Sequence, residues 1–174
     1  MASSQAPARK EEAAIHALIK QAKEANPQDE MIFGGWLNNK SSTQKPMHLH
    51  SEKIWSGNFA TKYPDVLSDK ASFVETETNE NGIKTAVVYS LKTSELPMNH
   101  YGFLLAWSDS YEEGKNTRKV YGYCGLLEKF HNIDWNKVEK DLDASSSSVF
   151  YVDALTRTSV KAEIVANMVY ADFM

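Results

Sequence analysis

Cysteine is nearly absent: Cys124 is the single one in 174 residues. One thiol closes no intramolecular disulfide and completes no CxxC or zinc-finger set, so neither kind of staple is available. Glycine and proline are also scarce, at eight and five, which excludes collagen-like and low-complexity chains. No apolar run reaches the ~18 to 20 residues of a membrane-spanning helix, and the opening MASSQAPARKEEAA lacks the hydrophobic stretch of a signal peptide. Positive charge is short as well. Nineteen Lys and Arg against 23 Asp and Glu leave a net charge of -4, without the summed positive field that a phosphate backbone requires, so nucleic acid is not an expected partner. GxGxxG, GxxxxGK[ST], GxSxG, HExxH and the EF-hand loop are all missing, which removes dinucleotide, P-loop, hydrolase, zincin and calcium-sensor readings. No cofactor is expected. A lone cysteine without a leader suits a reducing compartment, so the expected location is cytoplasmic or nuclear.

What is present is enough for one core. A chain of this size buries roughly 70% of its unfolded surface without staples. Residues 1–7 read as a disordered tail, and 8–174 as a single domain. Within it, 8–26 is expected to be an amphipathic helix: Ile15, Leu18, Ile19 and Ala22 recur at helical spacing, Glu11 and Glu12 open it, Lys20 and Lys23 lie near its end, and Pro27 follows.

From residue 30 the period changes to two and β-branched and aromatic residues take over. Strands are expected over Met31–Leu37 and Met47–Trp55. Ala71–Thr78 and Ile83–Leu91 are expected to pair as a hairpin across Asn81-Gly82, and Tyr101–Ser108 to pair with Arg118–Leu126 across the charged loop Asp109–Thr117. Val149–Asp153, Ser159–Ala166 and Asn167–Phe173 close the chain. Asp134–Leu142 fits a helix by its cap and its Trp135, Val138 and Leu142 spacing, yet a strand stays open. The fold class is mainly β: an antiparallel sandwich, or a flattened barrel, of about eight or nine strands over 30–174, with the N-terminal helix beside it. Ala86, Val87, Val88, Phe103, Leu104, Leu105, Trp107 and Val120 should form its heart.

Three sets of side chains carry candidate chemistry. His48 and His50 share one face of an alternating strand, the arrangement by which a sheet offers two imidazoles to a metal, with Glu52 or His100 as a third ligand. Solvated faces of strands show polar residues at every second position anyway, so no metal is assigned. The same His48, His50 and His100, with His131, are the candidates for cofactor-free acid-base catalysis in an isomerase, cyclase or lyase, with Asp109, Glu75 or Tyr101 to tune them. Cys124 lacks a base partner and reads as a core residue. Aromatics are plentiful, with four Trp, eight Tyr and seven Phe. Trp36, Trp55, Tyr63 and Tyr101 lie near expected loops or strand ends, where their rings could stack on a ligand.

The order of Trp36-Leu37-Asn38-Asn39, Pro46-Met47, Trp55-Ser56-Gly57, Tyr63-Pro64, Ala86-Val87-Val88-Tyr89, Leu105-Ala106-Trp107-Ser108, Lys119-Val120-Tyr121 and Val160-Lys161-Ala162-Glu163-Ile164 resembles the plant jasmonate-induced proteins of the 23 kDa class. A more distant likeness is to the aegerolysin and actinoporin-type sandwiches, some of which bind membrane lipids. The resemblance implies an intracellular, stress- or jasmonate-responsive plant protein, and together with the absence of catalytic signatures it makes binding of a small-molecule, glycan or lipid ligand the expected function. It supplies no catalytic residue. His48-Leu49-His50 and the charged loop after Trp107 depart from the pattern.

Overall fold

A computed structural model describes residues 31–77, 82–112 and 114–174, with Ala17, Lys20, Gln21 and Glu24 ahead of them. The expected tail 1–7 and most of the expected helix 8–26 fall outside these residues; the four isolated positions are helical and exposed. Eleven strands follow: β1 (Met31–Asn39), β2 (Met47–Ser56), β3 (Asn58–Thr61), β4 (Val66–Leu67), β5 (Lys70–Glu77), β6 (Ile83–Lys92), β7 (His100–Glu112), β8 (Lys115–Leu126), β9 (Ser148–Val152), β10 (Ser159–Val165) and β11 (Met168–Phe173). One sheet has the order β3-β5-β1-β11-β10-β9, the other β4-β2-β6-β7-β8. Both are open, so the sandwich is the right alternative and the barrel is not. Every pair is antiparallel except β1 with β11.

Between the sheets, Leu37, Phe73, Val160, Val169 and Phe173 meet Met47, Val87, Tyr89, Phe103, Leu105, Trp107 and Val120, all buried. The expected core residues divide between two faces. Val87, Phe103, Leu105, Trp107 and Val120 point inward. Ala86, Val88, Leu104 and Ala106 point outward, under Phe130, Val138 and Leu142. That second cover explains why β6 and β7 read as nearly continuous apolar runs: both faces are buried.

The cover is the helix α1 (Trp135–Asp143), described in full between β8 and β9 rather than at the N-terminus. The Asp134 carboxylate accepts from the Lys137 N–H at 3.2 Å, which caps the first turn. Val138 and Leu142, four apart, then turn one stripe to the sheet. These local signals settle Asp134–Leu142 as a helix.

The expected hairpin of Ala71–Thr78 with Ile83–Leu91 does not form. β5 pairs with β1 and β3, and β6 pairs with β2 and β7 in the other sheet. A turn signal specifies a reversal, not the hydrogen-bonding partner. β6, apolar on both faces, takes the centre of its sheet, whereas β5 buries Phe73 on a single face. Gly82 serves close approach: its φ is +76°, and a Cβ there would strike the carbonyl oxygen of Asp109. The other expected pairing holds and is longer, because β7 and β8 continue through the charged segment to Glu112 and Lys115. Buried Asp109 is held there by Arg118 Nε at 3.2 Å.

Candidate functional site

The strand directions bring three connections to one end of the sandwich. β1 and β11 both finish there (Asn39 beside Phe173), β6 turns into β7 (Lys92 beside His100), and β9 turns into β10 (Val152 beside Ser159). Loops 40–46, 93–99 and 153–158 therefore share this end. Their backbones are tied together. Asn39 Nδ2 donates to the Lys45 and Leu67 carbonyls at 2.9 and 3.1 Å. Lys45 Nζ donates to the Thr93 carbonyl at 2.8 Å, and the Ser159 N–H donates to the Met174 carbonyl at 2.8 Å.

Loop 153–158 is shaped by Asp153. Its Oδ2 accepts from the Thr156 N–H at 2.9 Å and the Thr156 hydroxyl at 2.6 Å. The Thr156 hydroxyl holds Asp153 below the usual carboxylate range against the opposing effect of burial, helped by the Thr156 N–H and Lys129. Thr156 Oγ1 also lies 2.7 Å from Thr158 Oγ1. Arg157, at φ +60°, stands exposed on this braced turn, and its guanidinium has no carboxylate partner among the described residues.

These loops enclose a cavity of about 270 Å³. Leu91, Tyr101 and Phe103 give it apolar and ring surface, Ser41, Ser42, Thr43, Thr93, Thr156 and Thr158 supply hydroxyls, and Arg157 supplies the charge. Met174 completes the lining, to which no Asp or Glu side chain contributes. The Thr93 and Thr156 hydroxyls already donate to the Asn99 carbonyl and to Asp153, so the donors left are those of loop 40–46. Beside a guanidinium with no carboxylate partner among the described residues they suit an anionic or strongly polar group, phosphate being the natural match. Around this mouth the loops carry exposed apolar residues: Leu96 at 56%, Met98 at 69% and Leu155 at 76%.

Of the aromatics singled out from sequence, Tyr101 lines this cavity. Trp36 is buried on the outer face of the first sheet, edge-on to Tyr170 at 5.6 Å. Trp55 is half-buried against Trp135 at 6.1 Å. Tyr63 is a core residue, 3% exposed, with its hydroxyl 2.7 Å from Thr85 Oγ1 and accepting from Trp107 Nε1 at 3.0 Å. That hydroxyl is placed to satisfy a buried indole, so the sequence reading of Tyr63 as a binding ring does not match its surroundings.

The histidines do not converge on this cavity. His48 and His50 are exposed on β2, and His100 lies at the start of β7 with Nε2 2.9 Å from the Ser94 carbonyl. A bulge between Leu49 and Ser51 shifts the register, so Glu52 pairs with Val87 while Ser51 and Lys53 pair with Val88 and Ala86. One inserted residue exchanges the faces of a strand, so Glu52 no longer continues the face of His48. Among the described residues no three His, Cys, Asp or Glu groups are placed to hold a metal ion. His50 instead stacks on His131 at 6.1 Å. Burial first, then His131 and Lys92, push it below the usual histidine range. Cys124 is buried in the core, where burial raises its thiol. The cavity-lining residues that sequence reasoning missed are Arg157 and the hydroxyl side chains. Their signal was the pair of short runs Ser41-Ser42-Thr43 and Thr156-Arg157-Thr158, the second preceded by an unshielded Leu155.

No protein-family profile and no curated protein matches this sequence. Among solved structures, the fold is similar to a crystal structure described as the lipid binding protein Nakanori. The TM-score is 0.64 at 12% identity, covering 93% of this chain and 78% of that one. At that identity the likeness is one of fold.

Proposed function

We propose that this protein binds a lipid headgroup at a membrane surface through the loop end that carries Arg157. The observation that carries the reading is the composition of that end: a braced, hydroxyl-lined cavity with an unpaired guanidinium at its mouth, ringed by exposed Leu96, Met98 and Leu155. A headgroup phosphate accepts from Arg157 and from the hydroxyls of loop 40–46, while the apolar tips enter the headgroup boundary. Tyr101 gives the cavity a ring face, and ring faces attract headgroup ammonium groups. The lipid-binding description of a structure with this fold supports the same class of ligand. Among the described residues no helix is long and apolar enough to cross a membrane, and contact in this reading is made by loops from one side.

Vesicle flotation tests it, with phosphatidylcholine alone and with added phosphatidylserine, phosphatidylinositol or sphingomyelin. Uptake by at least one mixture is expected, reduced about tenfold by Arg157→Gln, as the loss of a charge-assisted hydrogen bond implies. Absence of uptake in every mixture refutes it. The biological setting we propose, an intracellular and jasmonate-responsive one in a plant cell, rests on the sequence resemblance alone. Induction of the protein by jasmonate treatment tests that part separately.

A further inference from the structure

A second concave surface lies on the outer face of the first sheet. β10 and β11 turn Ala162 and Ala171 inward, so period two sends Lys161, Glu163, Tyr170 and Asp172 outward. Register then sets them in two rows: Lys161 lies between Asp172 and Phe150, and Glu163 between Tyr170 and Ser148. Together they line a cavity of about 330 Å³, within the usual ~300 to 1,000 Å³ of small-ligand clefts.

Its chemistry is specific. Phe150 is 64% exposed on one flank. Across from it, Tyr170 is fixed edge-on against buried Trp36, so that ring is preorganised. Between the rings the charges balance. Asp172 Oδ1 accepts from Asn38 Nδ2 at 2.7 Å and Oδ2 from Lys40 Nζ at 3.1 Å, while Lys161 and Glu163 have no ion-pair partner among the described residues. Lys161 thus lies with Glu163 and Asp172 in the lining, and the charge of Asp172 is offset by Lys40. An anionic ligand would meet Glu163 and Asp172, and a cationic one Lys161. Pressing this face into lipid would desolvate Lys161 and Glu163 without compensation. A neutral ligand with many hydroxyls fits each feature: a hydroxyl donates to a carboxylate and accepts from an ammonium, and the C–H face of a sugar ring packs on an aromatic face.

We propose that this surface binds a neutral oligosaccharide between Phe150 and Tyr170, with Lys161, Glu163 and Asp172 reading its hydroxyls. The site is separate from the Arg157 cavity and does not depend on the membrane reading. The test uses the full chain on an array of neutral mono- to tetrasaccharides of glucose, galactose, mannose and xylose, with sialylated and sulfated saccharides beside them, followed by calorimetric titration of the strongest neutral binder. A neutral saccharide is expected to bind. Phe150→Ala and Glu163→Ala are each expected to weaken it by about tenfold or more, with unchanged unfolding midpoints because both side chains are exposed. Arg157→Gln should leave it intact even if vesicle binding is lost. Binding to charged saccharides alone, no binding to any neutral one, or full affinity in the Phe150 and Glu163 variants overturns the proposal.

Discussion

Truncating the apolar tips gives the sharpest test of the proposed membrane contact. Leu96, Met98 and Leu155 are 56, 69 and 76% exposed, so most of each side chain is still in water. Full burial of such a side chain is worth about 1.5 to 3 kcal/mol, and the exposed portion leaves on the order of 1 to 2 kcal/mol each to be gained in the headgroup boundary. A leucine or methionine cut to alanine keeps only part of that, so each single substitution should lower vesicle partitioning about three- to tenfold. The triple variant should lower it by about two orders of magnitude if the tips enter independently. Unfolding stability should change by no more than about 0.5 kcal/mol, because no core contact is removed. Flotation across a lipid titration gives the partition coefficient, and thermal unfolding of the same samples gives the stability. A triple variant that partitions like the parent would refute membrane entry by this end. A lowered unfolding midpoint would show that the tips are structural.

Asp153→Ala removes the acceptor that Thr156 uses twice and should cost about 1.5 to 3 kcal/mol, with weaker vesicle binding because the turn under Arg157 loosens; chemical denaturation and flotation check the two effects. Acid should act in the same direction. With its folded pKa held low, Asp153 contributes stability that is present above the ordinary carboxylate range and lost as pH falls through the folded value. Asp109 has the opposite sign. Burial raises it, opposed by Arg118, so its contribution is full below the ordinary range and lost as pH rises. Asp109→Asn should therefore gain stability relative to the parent as pH rises above the ordinary carboxylate range, measured by denaturation at each pH. Phe130→Ala should cost about 3 to 5 kcal/mol, since Phe130 is 3% exposed, packs on Tyr123 at 5.6 Å and covers the outer face of the second sheet. Gly102→Ala should destabilise by about 1 to 3 kcal/mol, because its Cβ would strike the Phe130 ring; thermal unfolding reads both.

Period-two patterning carried most of the fold. It located β1, β2 and β5 to β11 to within a few residues, because each buries one or both faces and its side chains must alternate or run apolar accordingly. What it could not carry is the partner of a strand. β5 and β6 flank a good turn signal, yet they belong to different sheets, since that choice depends on which strands cover Phe73 on one side and Val87 with Ala86 on the two sides of β6. β3 and β4, four and two residues long, are too short to show a period at all. The parallel β1–β11 pair joins segments more than a hundred residues apart, and nothing local encodes it.

The site was harder to read for a related reason. Aromatics and histidines draw attention in a sequence because few other residues bring their chemistry, but their environment decides whether they are available. Tyr63 and Tyr101 look alike in sequence. One is closed in by Thr85 and Trp107, while the other faces a cavity, because β7 starts where three loops meet. Serine, threonine and a single arginine are individually unremarkable, and they become a site only when the topology stacks loop 40–46 on loop 153–158. The exposed leucines are the part that composition alone could have flagged. An apolar residue at a loop tip buries little within the chain, and Leu155, in the middle of the turn Ala154-Leu155-Thr156, is 76% exposed. A side chain with no internal partner at such a position points outward, where the proposed membrane contact would cover it.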